Sequence, residues 1–250
     1  MSGVYDLENV GRLGDFERIV LCSHSPRRRE LLLKYRPILM SAEADERAIE
    51  KRWMAAYAKE PFLHRAGKTA CRLAEAKLRS VQSKMRGGMA MEKTGPRSNG
   101  PEPDGPDFDG PGRTDGPEPA AESAERLLYL ACDTMVVHEG KIFNKPGDHA
   151  EAREMLRSYL GREHQVVTGV AMETATGRQL FYSVTSVAFS AKSPFIEKLV
   201  DDYVETGLPM DKAGAYGIQE LDPALIESIC GDFYTIVGLP LGEIERRLHS

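Results

Sequence analysis

Residues 18–35, RIVLCSHSPRRRELLLKY, hold the reading on which the architecture turns. The run RIVLC at 18–22 is short and apolar, which predicts a buried strand. Ser25-Pro26 then opens a helix to about Tyr35, because a serine oxygen caps the first free N–H groups and proline suits the first helical position. Strand, tight turn, helix is one unit of an α/β sheet. Working outward, residues 46–58 and 62–84 predict helices, the second with apolar residues at Ala66, Ala70, Leu73 and Ala74. Residues 127–137, LLYLACDTMVV, are the most apolar strand-like run, and Glu139-Gly140 turns it into a hairpin with 141–143. Asp148 caps a helix to about Leu160, residues 165–172 and 181–189 pair around Ala175-Thr176-Gly177, and Ser193-Pro194 starts another helix. A Gly-rich loop, a short helix from Pro223, a strand at 233–237 and a final helix after Pro240 follow. Hairpins among alternating strands and helices predict an α/β fold with a mixed, twisted sheet flanked by helices.

The chain has 250 residues, 41% of them hydrophobic, enough to bury a core without disulfides or a structural metal. Its 33 Lys and Arg against 38 Asp and Glu give a net charge of −5. That balance excludes a general coat for a nucleic-acid polymer, which needs a broad cationic surplus, but leaves room for local anion sites. Cysteines 22, 71, 132 and 230 lie far apart with no CxxC spacing, and read as buried thiols in a reducing compartment. No run approaches the roughly 18 to 20 apolar residues that span a bilayer. The opening MSGVYDLENVGRLGDFERIV lacks the basic start and apolar stretch of a secretory signal, so the expected location is the cytoplasm. Residues 1–17 read as an N-terminal tail and 18–250 as one domain. Residues 86–124, rich in Gly, Pro and acids, read as a surface insertion within it, since closing a long loop adds entropy only logarithmically. A linker between two domains is the other reading. Against it, residues 1–85 offer too few complementary faces for a separate core.

Three clusters carry chemistry. At the first strand-to-helix turn, Ser23-His24-Ser25-Pro26-Arg27-Arg28-Arg29 places hydroxyls, free N–H groups and guanidiniums at a helix start. Such a start stabilises anions, and arginine adds bidentate hydrogen bonds. A solvated helix face is the alternative, but cations in a first turn oppose the dipole unless an anion joins them. Gly67-Lys68-Thr69 ends like a Walker A loop but has Phe62 where the first glycine belongs, and no GxGxxG follows a strand. In the second cluster, Asp133 lies within an apolar run, where a carboxylate is costly unless paired or bound to a cation; the alternative is an Asp capping a turn at the strand end. Asn144-Lys145-Pro146 follows just past the hairpin. The third, Asp211-Lys212-Ala213-Gly214-Ala215-Tyr216-Gly217-Ile218-Gln219, reads either as a plain turn or as backbone able to approach a planar ligand, with Gln219 offering a donor and an acceptor.

Taken in order, SHSPRRRELL (23–32), ACDTMVV (131–137), NKP (144–146), REHQVVTGVAM (162–172), YVETGLPMDKAGAYGIQ (203–219) and GDFYTIVGLPL (231–241) resemble the Maf family of nucleoside-triphosphate pyrophosphatases. The resemblance implies two lobes around a deep cleft, usually in a homodimer. It also implies hydrolysis of a nucleoside triphosphate to the monophosphate and pyrophosphate with Mg²⁺ or Mn²⁺. Asp133 matches the family's proton acceptor. Ser23, Arg28, Lys77 and Lys145 match triphosphate-holding positions, and Arg27, Thr134 and Gln219 match positions tied to substrate choice. Their identities favour the branch acting on dTTP and UTP, together with modified pyrimidine nucleotides, over the 7-methyl-GTP branch, which more often has Gln after the acid. Glu46 resembles the family's acidic pair and would join Asp133 at the metal. Glu220-Leu221-Asp222 departs from the usual glycine-rich continuation, and Cys22 and His24 flank Ser23 where small residues are usual. A rival from another class is a nucleotide-binding regulator of cell division that does not hydrolyse.

Overall fold

The computed structural model describes residues 12–92 and 126–249. One seven-stranded mixed sheet organises them, in the order β2-β1-β3-β5-β6-β7, with β4 paired to β3. The strands are β1 (Arg18–Leu21), β2 (Ile38–Leu39), β3 (Leu127–His138), β4 (Lys141–Phe143), β5 (Glu163–Thr174), β6 (Gly177–Phe189) and β7 (Ile226–Cys230). β1 runs parallel to β2 and β3, and every other pairing is antiparallel. The helices are α1 (Pro26–Leu31), α2 (Glu46–Ala56), α3 (Phe62–Glu92), α4 (His149–Tyr159), α5 (Pro194–Glu205), α6 (Phe233–Val237) and α7 (Leu241–Leu248). Among these residues no helix is long and apolar enough to cross a membrane.

Alternation along β3 and β5 sorts the core, because successive strand side chains face opposite sides of a sheet. Ala131, Met135, Val137, Val167 and Ala171 pack toward Ala66, Ala70, Ala74 and Leu78 of α3. Leu128, Leu130, Cys132, Val170 and Met172 face the other side with α7. Farther along that side, Val136 and Val166 meet α4 and α5. Gly169 lets α3 lie against the sheet, since a Cβ there would fall 2.3 Å from the Ala70 carbonyl carbon and 2.4 Å from the Cys71 nitrogen.

Several local expectations need correction. The helix after Ser25 stops at Leu31, a separate 3-10 turn covers Leu33–Tyr35, and Arg36 adopts φ 48° before Pro37. Residues 233–237 form α6, not a strand: Asp232 accepts from Tyr234 N–H, and Gly238 at φ 99° closes the other end. Two caps with only five residues between them override the β-leaning Thr235-Ile236-Val237. Strands β2 and β7 were not expected. β7 follows the 3-10 turn Pro223–Leu225 and is exposed along most of its length, so it lacks an apolar rhythm. All four cysteines are free, but Cys230 on β7 is exposed while the other three are buried. Helix α3 continues beyond residue 84 to Glu92, into the stretch read as an insertion, whose residues 93–124 lie outside the described residues. Of the stretch read as a tail, residues 1–11 lie outside them as well, and Leu13 is buried near Ile244 of α7.

Candidate active site

The site begins as an interruption in the sheet. Along one side of β3, Leu127–Leu130 pair with β1 and Val136–His138 pair with β4. Between them residues 131–135 have no strand on that flank among the described residues, although β5 runs unbroken along the other. The last ladder bond, from Cys22 N–H to the Leu130 carbonyl, is 2.8 Å long. Two residues on, the Cys132 carbonyl receives Arg28 Nη1 at 2.9 Å, so a guanidinium takes over where β1 departs. A cavity of about 590 Å³ opens here, lined by the turn after β1, α2, α3, the middle of β3, Asn144, Lys145 and residues 211–213 and 216–218.

Arg28 ties the walls together. Its Nε donates to the Gly238 carbonyl at 2.7 Å, Nη1 also reaches Ser23 Oγ at 3.2 Å, and Nη2 donates to Thr134 Oγ1 at 3.0 Å. Arginine's planar fork makes this possible, and lysine could not reproduce it. Thr168 Oγ1 donates to the Thr235 carbonyl at 2.7 Å. Its single proton is thereby used, so the 3.0 Å contact between Thr134 and Thr168 has Thr134 as donor. The order runs Arg28 to Thr134 to Thr168 to the Thr235 carbonyl, and the Thr134 hydroxyl proton is committed within the protein. Ser23 is the opposite case. Its oxygen accepts from Ser25 N–H at 3.1 Å and from Arg28, which leaves its own proton to donate into the cavity it lines.

Asp133 faces α3, as alternation requires of the residue next to Thr134. Its Oδ1 accepts from Lys77 Nζ at 2.6 Å, and Lys77 also pairs with Glu46 Oε1 at 2.9 Å. Asp133 is 8% exposed, so the apolar run does carry a paired carboxylate, as its cost demands. Burial alone would favour the neutral Lys77 amine, but the Asp133 and Glu46 carboxylates outweigh it and hold its pKa above the ordinary lysine value. Glu50, one helical turn beyond Glu46, lines the same cavity. Its pKa is raised, chiefly by burial; a hydrogen bond with Asn144 opposes this, and repulsion from Asp133 and Glu46 reinforces it.

Of the residues singled out from sequence, Ser23, Arg27, Arg28, Glu46, Lys77, Asp133, Thr134 and Lys145 line this one cavity. Gln219 does not: it is exposed, next to the lining residue Ile218. Sequence reasoning gave no role to Glu50, Arg47 or Lys212, which also line it. The i,i+4 spacing of Glu46 and Glu50 on one predicted helix was the available signal for Glu50.

An α/β sheet interrupted beside a paired acid, with arginine and serine from the first turn facing it, defines an anion-handling cleft. The chain belongs to the Maf-like protein family, whose family model matches residues 18–250. A protein of Symbiobacterium thermophilum named dTTP/UTP pyrophosphatase is 49% identical over 114 residues, covering 46% of this chain and 57% of that relative. Proteins of the same name from Bacillus velezensis and Thermotoga maritima are 44% and 42% identical, over 51% and 50% of this chain and 66% and 60% of their own lengths. The aligned part thus spans less than two thirds of these relatives.

Proposed function

We propose that this chain hydrolyses the bond between the α- and β-phosphates of dTTP or UTP, and of modified pyrimidine nucleotides, giving the monophosphate and pyrophosphate. The observation that carries this is the meeting of Asp133, paired to Lys77 at 2.6 Å, with the Ser23-Arg28 turn in one cavity. Asp133 takes a proton from water as the water oxygen bonds to the α-phosphorus. The bridging α–β oxygen departs with the bonding electrons, and pyrophosphate leaves. General-base assistance of this kind is worth about 10²- to 10⁴-fold in rate. The free Ser23 proton and the charges of Lys77 and Lys145 stabilise the negative charge that builds on the phosphate chain. The names of the aligned relatives support the pyrimidine branch.

A divalent cation, Mg²⁺ or Mn²⁺, belongs to this reading. Among the described residues no three His, Cys, Asp or Glu side chains are grouped to hold a metal. Asp133 and Glu46, both within 2.9 Å of Lys77 Nζ, fit an ion held by two carboxylates plus substrate oxygens, the usual manner for Mg²⁺. When bound, it would neutralise charge on the phosphates and leaving group. Cytoplasmic location and a homodimer are part of the same reading, and light scattering tests the latter. Pyrophosphate release from dTTP, UTP, CTP, GTP and 7-methyl-GTP, with and without Mg²⁺, is the deciding assay. Binding without release from any of them would favour the regulator, and preference for 7-methyl-GTP would move the chain to the other branch.

A further inference from the structure

Glu220, just past the loop that lines the cavity, acquires a place in the structure. Glu220 is not part of the cavity lining, but it stands behind Gly217, which is. A Cβ on Gly217 would fall 2.9 Å from a Glu220 carboxylate oxygen and 2.9 Å from Lys212 Cε. Through that bare stretch of backbone the carboxylate reaches two cations that do line the cavity. Its Oε2 lies 2.9 Å from Lys212 Nζ, and its Oε1 lies 3.7 Å from Arg27 Nη1. Lys212 is 4% exposed and also donates to Asp211 at 2.7 Å and to the Leu208 carbonyl at 2.6 Å. Tyr203 OH, which accepts from Gly217 N–H at 3.1 Å, donates to Glu220 Oε2 at 3.4 Å.

Arg27, Lys212, Asp211 and Glu220 therefore form a balanced group of two cations and two anions at this wall. Elsewhere in the same lining stand Ser23, whose proton is free, and the cations Lys77 and Lys145, next to Asp133. A triphosphate entering a cleft with two groups of cations could settle against either, and only one of these placements brings its α-phosphorus to Asp133. We propose that Glu220 is a positioning residue that sets this placement. By occupying Arg27 and Lys212 from behind, it removes their pull on phosphate and leaves the wall for the base and sugar. The inference rests on the nucleotide reading above and adds a residue that fixes the placement of the triphosphate.

The test uses Glu220→Gln, which keeps the shape, and Glu220→Ala. Calorimetry with inorganic tripolyphosphate should show both variants binding about tenfold tighter than the parent chain, the order expected from uncovering one charge near a partly exposed site. With UTP, kcat and KM should fall together while kcat/KM holds, the pattern of unproductive binding. Unchanged tripolyphosphate affinity, or a fall in kcat/KM alone alongside a lower melting temperature, would overturn the proposal and leave Glu220 a structural residue. If Glu220→Ala fails to fold, Glu220→Gln decides. If the parent chain releases no pyrophosphate from any nucleotide, the hydrolytic reading fails by itself, and the calorimetric comparison still decides the role of Glu220.

Discussion

Lys77 Nζ, carried on α3, lies 2.6 Å from Asp133 Oδ1 at the centre of the sheet, and the lysine side chain is only 14% exposed. Helix and strand are joined at the acid on which the proposed chemistry depends. Each partner is therefore expected to answer differently to substitution.

Asp133→Asn should lower kcat for UTP by about 10²- to 10⁴-fold while the nucleotide still binds by calorimetry, because the phosphate-facing groups are untouched. A variant with unchanged turnover would remove Asp133 from the mechanism.

Lys77→Ala leaves a buried carboxylate without its cation. We expect a loss of about 2 kcal/mol or more in urea unfolding, largely restored in the double variant with Asp133→Asn, where the stranded charge is gone. Simple additivity of the two changes would contradict the pairing.

Arg28→Lys keeps the charge but cannot donate at once to the Gly238 and Cys132 carbonyls, Ser23 and Thr134. A stability loss of about 2 kcal/mol is expected from the abandoned carbonyls. Gly238→Ala should act on the same clamp from the other side, since its Cβ would lie 2.9 Å from Thr134 Oγ1 on a residue at φ 99°. Both variants are read by thermal melting and by pyrophosphate release.

Glu75 supplies a pH test remote from the cleft. Burial would raise its pKa, but hydrogen bonds from Arg72 and Arg79 bring it below the ordinary glutamate value. Arg178 adds a third guanidinium at 3.1 Å. A depressed folded pKa means stability that is complete above the unfolded value of about 4.3 and is lost as pH falls through the folded one. The melting gap between the parent chain and Glu75→Gln should therefore be widest near pH 7 and close as the solution is acidified below about pH 4. A gap that widens on acidification would refute this.

Much of the framework was legible where local signals agreed. Ser25, Asp148 and Ser193 each cap the helix expected after them, because a short polar side chain before an apolar rhythm is a local cause. The long strands around Asp133 and Thr168 announced themselves by apolar runs. What was missed lacked such a cause. β2 has two residues, and β7 is an edge strand with few buried side chains. α6 was misread because β-branched residues outnumbered the cap signals flanking them. In the site, a carboxylate inside an apolar run pointed to Asp133. The commitment of Arg28 to two carbonyls and two hydroxyls was invisible, because it depends on where β1 leaves the sheet. The roles of Lys212 and Glu220 emerge only when the loop folds them behind Gly217.

Beneath the interruption in β3, β5 and β6 stay paired residue for residue from Glu163 opposite Ala188 to Thr174 opposite Gly177. A continuous double ladder makes the bed of the cleft stiff, while its flanks are short turns and single helices. On the proposed function, the point of bond cleavage at Asp133 would thus be common to any nucleotide that enters. The turn after β1 and the loop at 211–218 could be rewritten without disturbing that ladder. On the proposed function, changes at these margins would alter which nucleotide is accepted while the ladder stays as it is.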